Sequence, residues 1–162
     1  MEWISSEGGP LILISKKYLS DWHGIVSSDY SMACDIDNYA GTIKTSNTQA
    51  LVLGDDPCQS AIYISKGLGA VIVRWQWAES ENSVQKYIDY LTAEDFQDPV
   101  EEIEYRVDDS ALLLFDSVMP GSSVEGLTLN LPIATYVITT ICYVPDDETS
   151  LILHRFTPKL ND

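Results

Sequence analysis

Residues 50–57 read ALVLGDDP, 61–65 AIYIS, 66–69 KGLG and 70–77 AVIVRWQW. The pattern returns at 111–120 (ALLLFDSVMP), 126–130 (GLTLN), 131–132 (LP) and 134–143 (ATYVITTICY). Aligning Ala50 with Ala111, Asp55 with Asp116, Ile62 with Leu127 and Val71 with Tyr136 needs only small gaps and sets apolar residues against apolar residues. Short apolar runs punctuated by Gly, Pro and Asp are strand-and-turn patterns. The reading is one three-strand unit used twice, at 50–77 and 111–143. Either unit alone would leave an apolar face in water, so the two are expected to pack on one core.

Working outward, Gly8, Gly9 and Pro10 form a turn into PLILI, a buried-strand run. SKKYLSDW has the length of a helical turn or two. Gly24 stands where a residue of positive φ would end it, with Trp22 as a plug over the exit. Asp29 is the expected N-cap of a short helix on which Tyr30 and Cys34, four apart, share a face. YAGTIKT alternates as a strand. In the first unit's last strand Val71, Val73, Trp75 and Trp77 are expected to point inward, with Arg74 and Gln76 on a wetter outer face. Trp75 and Trp77 resemble a ligand platform, but core packing is the favoured reading.

Ser83 is the expected N-cap of the clearest helix, with Val84, Tyr87, Ile88 and Leu91 forming an apolar stripe. TAEDFQDP reads as loop. EEIEYRV sets Ile103, Tyr105 and Val107 against Glu102, Glu104 and Arg106, a strand with one solvated face. SLILHRF is a last strand with Leu151, Leu153 and, by parity, Arg155 inside. The expected fold is mostly β, of α+β class: about ten strands in a sandwich or barrel-like arrangement, with one to three short helices, in a single domain over 1–162.

A chain of 162 residues can bury a core without disulfides or metals. Its formal charge of −16 disfavours nucleic acid and anionic membranes and favours a basic partner. Three cysteines, Cys34, Cys58 and Cys142, form an odd set without close pairing, which points to reduced thiols in the cytoplasm. The start MEWISSEGGP has no signal-peptide pattern, and no run approaches a membrane span.

No nucleotide-binding Gly loop, GxSxG or HExxH is present, and the Cys and His residues lack zinc-ligand spacing. Neither a cofactor nor a metal is expected. Cys34 with His23 has the residue types of a nucleophile and base, but Asp35 and Asp37 beside it oppose a thiolate. Asp55, Asp56 and Asp116 sit at strand ends in the repeated units. Turn capping is their favoured role; the alternative is a small-molecule or hydrolytic site between the units near Asp55 and Asp116. A self-associating scaffold is a third possibility.

The segment 79–109 holds eleven acidic residues against Lys86 and Arg106, a local charge of −9. Such a run is either a solvated face or a docking surface that steers a basic protein. Tyr90, Phe96 and Tyr105, interleaved with the acids, are the expected apolar anchors.

Trp22-His23-Gly24 followed by Tyr30-Ser-Met-Ala-Cys34 resembles the immunity protein 21 family of bacterial polymorphic toxin systems, described by a WxG motif and then a YxxxC motif in a mostly β fold. GGPLILI before them and ALVLGDDP after them look similar too. The resemblance implies a cytosolic antidote, encoded beside a secreted toxin, that binds its cognate protein toxin without chemistry of its own. Trp22, Gly24, Tyr30 and Cys34 carry over as motif positions and read physically as structural pins. The charge map, independently, places toxin contact on Glu79, Glu81, Asp89, Tyr90, Glu94, Asp95, Phe96, Asp98, Glu101, Glu102 and Glu104. Such a surface suits a basic, nuclease-like active site.

Overall fold

The computed structural model describes residues 1–54 and 56–161. Among these the strands in chain order are β1 (Trp3–Ile4), β2 (Leu11–Ser15), β3 (Ala40–Lys44), β4 (Gln49–Leu53), β5 (Gln59–Ser65), β6 (Gly69–Trp77), β7 (Glu101–Val107), β8 (Ala111–Asp116), β9 (Leu127–Asn130), β10 (Ala134–Asp146) and β11 (Thr149–Pro158). Helices α1 (Asp29–Cys34) and α2 (Glu81–Ile88) and several 3-10 turns complete it. The strands form two antiparallel sheets of six and five, ordered β1-β5-β6-β11-β10-β7 (sheet A) and β3-β4-β2-β8-β9 (sheet B). The architecture is a sandwich with open edges, one of the two arrangements expected, and not a closed barrel.

The apolar runs are continuous because both faces of both sheets are covered. Between the sheets, Leu11, Leu13, Leu51 and Leu53 of sheet B meet Ile72, Ile138 and Phe156 of sheet A. The opposite side chains of the same strands are buried too. Ile12, Ile14, Val52 and Phe115 lie under Trp22 and Ala33 on the outside of sheet B. Val71, Val73, Leu151 and Leu153 lie under Val84, Ile88, Leu91 and Phe96 on the outside of sheet A. Burying each such side chain contributes about 1.5–3 kcal/mol, and a strand buried on both faces collects this at every position.

The paired units occupy related places with one difference. Their first strands, β4 and β8, both flank β2, and their third strands, β6 and β10, both flank β11. The middle strands part company: β5 pairs with β6 in sheet A, whereas β9 pairs with β8 in sheet B.

Several local expectations are corrected. Alternation along β6 holds, but the side assigned to water is the sandwich interior. Ile72 is fully buried and Arg74 is 1% exposed, its guanidinium donating to the carbonyls of Gly54 (2.7 Å), Asp56 (2.6 Å) and Tyr39 (3.4 Å). Trp75 stands edge-on to Trp3, at 5.3 Å between ring centroids, while Trp77 is 54% exposed and outside the core. α2 starts earlier than expected, capped by Ser80, whose hydroxyl accepts from the Ser83 amide at 3.2 Å. Ser28, not Asp29, occupies the N-cap of α1, and Asp29 accepts from the His23 amide at 2.8 Å. Within TAEDFQDP, Ala93–Phe96 form a 3-10 turn closed by a Thr92–Asp95 capping box.

His154, on the inner side of β11, is fully buried, with Nδ1 2.8 Å from the Thr140 hydroxyl. Burial holds its imidazole well below the usual value, and the nearby Arg74 charge pushes the same way. The unfolded chain therefore takes up a proton that the folded one refuses. Stability is expected to be full above about pH 6.5 and to fall as pH drops below it. Urea midpoints measured from pH 7.5 to 5.5 should show this slope, and His154→Leu should flatten it; a variant that keeps the slope would assign it elsewhere.

Candidate functional site

The acidic residues of segment 79–109 divide into two groups. Some are held by the fold. Asp95 closes its own turn through the Thr92 amide at 2.7 Å, and Glu101 accepts from the Ala40 amide at 2.8 Å. Asp108 accepts from the Thr48 hydroxyl at 2.6 Å and Asp109 from that of Ser15 at 3.3 Å. These carboxylates act as turn and edge locks. Glu79, Glu81, Asp89, Glu94, Asp98, Glu102 and Glu104 are exposed.

Strand register shows where they face. Glu102 stands opposite Thr139, Thr139 opposite Arg155, and Arg155 opposite Val71, the residue packed beneath α2. The outward side of β7, helix α2 and the 3-10 turn therefore share one side of the molecule, the outside of sheet A. Thr139 donates to Glu102 at 3.1 Å, and Arg155 lies 5.7 Å from the Phe96 ring centre, which ties the turn to the same side. Cations temper this face: Lys159 pairs with Glu104, and the N-terminal amine reaches Glu81 at 3.3 Å.

The expected aromatic anchors fare differently. Tyr90 is 80% exposed, but Phe96 and Tyr105 are 6% and 1% exposed. Phe96 fills the core under α2, and the Tyr105 hydroxyl donates to the Leu13 carbonyl at 3.3 Å. Neither can meet a partner. Burial leaves Tyr105 with a phenol pushed far up from its ordinary range, a permanent neutral donor.

The motif residues assemble elsewhere, on the outside of sheet B. Trp22 is 1% exposed, and its indole N–H donates to the Ser117 carbonyl at 2.9 Å. Gly24 has φ 65°, and a Cβ there would stand 2.5 Å from the Val118 carbonyl oxygen. The next amide, of Ile25, donates to that same carbonyl at 3.1 Å. Tyr30 lies against Gly9, where a Cβ would come within 2.6 Å of the phenol. Its hydroxyl is pushed up chiefly by hydrogen bonding with Cys34, so the two do share a face of α1. These contacts pin the covering segment to the ends of β2 and β8.

The other candidate chemistry does not gather. His23 contacts Asp29 at 3.2 Å while Cys34 partners Tyr30, so no nucleophile–base pair forms. Asp116 takes the turn-capping role, accepting from the amides of Glu7 (2.8 Å) and Val118 (3.1 Å). Asp55 lies outside the described residues. A cleft of about 650 Å³ is lined by Glu2, Trp3, Ile4, Lys16 and residues 124–128 rather than by Asp116. Among the described residues no three His, Cys, Asp or Glu come together as a metal site. No helix there is long and apolar enough to cross a membrane.

Comparison with family descriptions matches residues 2–149 to immunity protein 21. The chain belongs to the immunity protein 21 family. It is, by that membership, an immunity protein of a toxin system. The match runs through both sheets and ends within β11, so the family resemblance extends well past the motif region. Searches among curated proteins and among solved structures found no match.

If the motif pins the fold and does not touch toxin, Gly24→Ala should show it. The left-handed backbone alone costs an ordinary residue about 1–2 kcal/mol, and the clash with a backbone carbonyl adds to that. Loss of at least about 2 kcal/mol in chemical denaturation is expected, with unchanged toxin affinity for the folded fraction.

Proposed function

We propose that this immunity protein neutralises a basic, cytoplasm-entering toxin by covering its active site with the acidic outside of sheet A, and that it does so without catalysis. The observation that carries the reading is the shared orientation of α2, the 93–96 turn and the outward side of β7. It puts Glu81, Glu94 and Glu102 on one side of a chain whose net charge is −16, with Glu79 and Asp98 exposed in the flanking loops. A site shaped to hold phosphate attracts carboxylates, so a nuclease-like toxin is the preferred partner. The alternative ligand site between the repeated units finds no support, since Asp116 is engaged in backbone hydrogen bonds.

Magnitude is consistent with this reading. A standard interface takes roughly 800 Å² from each partner. That is about a tenth of the 8250 Å² surface of this chain.

The test uses exposed carboxylates that hold no backbone amide. Glu94→Gln, Asp98→Asn and Glu102→Gln combined should leave the unfolding transition nearly unchanged. Toxin association should slow at least tenfold at low salt, and most of the difference should vanish near 1 M salt, where the screening length falls to roughly 3 Å. Wild-type association that does not respond to salt would refute the electrostatic reading.

A further inference from the structure

With Phe96 and Tyr105 buried, the acidic face has charge to steer a partner but lacks two of the aromatic anchors from which hot spots are made. An anchor of the right kind stands at one end of sheet A. There β6, β10 and β11, at 9, 13 and 10 residues, are longer than the 4- to 6-residue strands of sheet B. Two bulges flank β11 at this end. Gln76 is the extra residue of β6 between the Trp75–Leu151 and Trp77–Ser150 pairs, and β10 gains one residue between Tyr143 and Asp146. Bulges bend a strand and re-aim its side chains. Trp77, just past the first, is 54% exposed, whereas Trp22 is 1% exposed.

Trp77 borders a cleft of about 330 Å³ shared with Asp56, Pro57, Cys58, Trp75 and Gln76. Its walls are fixed. The Trp75 ring is set edge-on against Trp3, Gln76 accepts from the Ser150 hydroxyl at 2.7 Å, and the Asp56 carbonyl accepts from Arg74 at 2.6 Å. The size is near the lower end for ligand clefts, roughly 300 Å³, and suits one long side chain rather than a folded segment. Arg74 is buried beneath it, so the charge at the mouth comes from Asp56, with Glu79 two residues beyond Trp77. An indole face is the best aromatic partner for a cation, and a carboxylate beside it adds a charge-assisted hydrogen bond.

We propose that this cleft seats a lysine or arginine side chain of the toxin, stacked on Trp77 and paired with Asp56, as the anchor of the interface. The inference rests on the basic-toxin reading above. In this reading the exposed carboxylates, Glu79 two residues along the chain from Trp77 among them, steer the toxin in and the cleft holds it.

The experiment measures binding of the toxic domain encoded beside this chain, by calorimetry and stopped flow, to wild type, Trp77→Ala, Trp77→Phe, Asp56→Asn and the triple carboxylate variant, after checking unfolding transitions. Trp77→Ala should weaken affinity at least tenfold, almost wholly by faster dissociation; Trp77→Phe should recover part of it, and Asp56→Asn should lose about tenfold. Acrylamide quenching of tryptophan fluorescence should fall on complex formation in wild type but change little in Trp77→Phe. Trp77→Ala binding within twofold of wild type, with the triple variant still slow to associate, overturns this inference and leaves the function intact. Absence of any complex overturns both.

Discussion

The fold depends on one constraint: the central strands of each sheet are apolar on both faces, so those strands must be covered twice. Strand β11 states it most plainly, since Leu151 and Leu153 go under α2 while Ile152 and Phe156 turn inward, all at most 2% exposed. A two-layer sandwich would leave one of these sets in water. At about 25 cal/mol per Å² of apolar surface, the exposed face would forfeit more than the usual 5–15 kcal/mol margin of a whole domain. The helical segments are therefore lids that complete the core. Their positions follow from which strands are apolar on their outer side.

That requirement explains why the motif lies where it does. The outside of sheet B is covered by a short irregular segment, residues 16–36, which contains only one α-helix of six residues. So little helix has few hydrogen bonds of its own to fix its path, and nucleation of an isolated turn is unfavourable. Discrete pins do that work instead. The Trp22 indole hydrogen bond, the left-handed Gly24 against Val118, and Tyr30 on Gly9 tie the segment to the strand ends at separate points. The outside of sheet A is covered differently, by a better-capped helix with a regular apolar stripe.

Legibility in the sequence followed the same division. Strands, the turn at Gly24, the α2 stripe and the alternation of β7 were readable, since each is a local pattern of period or backbone type. The burial of Arg74 was not. Parity places it opposite Val73 correctly, but which side is wet depends on whether a second layer covers it, and that layer comes from distant residues. Phe96 failed for the same reason: an aromatic among acids reads as exposed until the sheet it caps is known. The middle strands of the paired units escaped too, because a strand's sequence shows its alternation but not which neighbour donates its hydrogen bonds. On the acidic face, charge was countable but function was not, since at least five of the eleven carboxylates serve the backbone or a neighbouring hydroxyl within the fold.

Such hydrogen bonds help explain how so acidic a chain stays folded. A net charge of −16 repels itself, and the repulsion grows as the chain compacts. Carboxylates that accept hydrogen bonds from amides and hydroxyls offset part of it, because each replaces water on a charged oxygen with a fixed donor. The rest are pushed to exposed positions, where high dielectric weakens their mutual repulsion to about 1 kcal/mol at contact distances. The same solvation that makes those charges tolerable makes each weak as a source of affinity. A surface built this way is fast at finding a partner and slow to lose it only where an apolar wall excludes water. Speed and retention must therefore be carried by different residues.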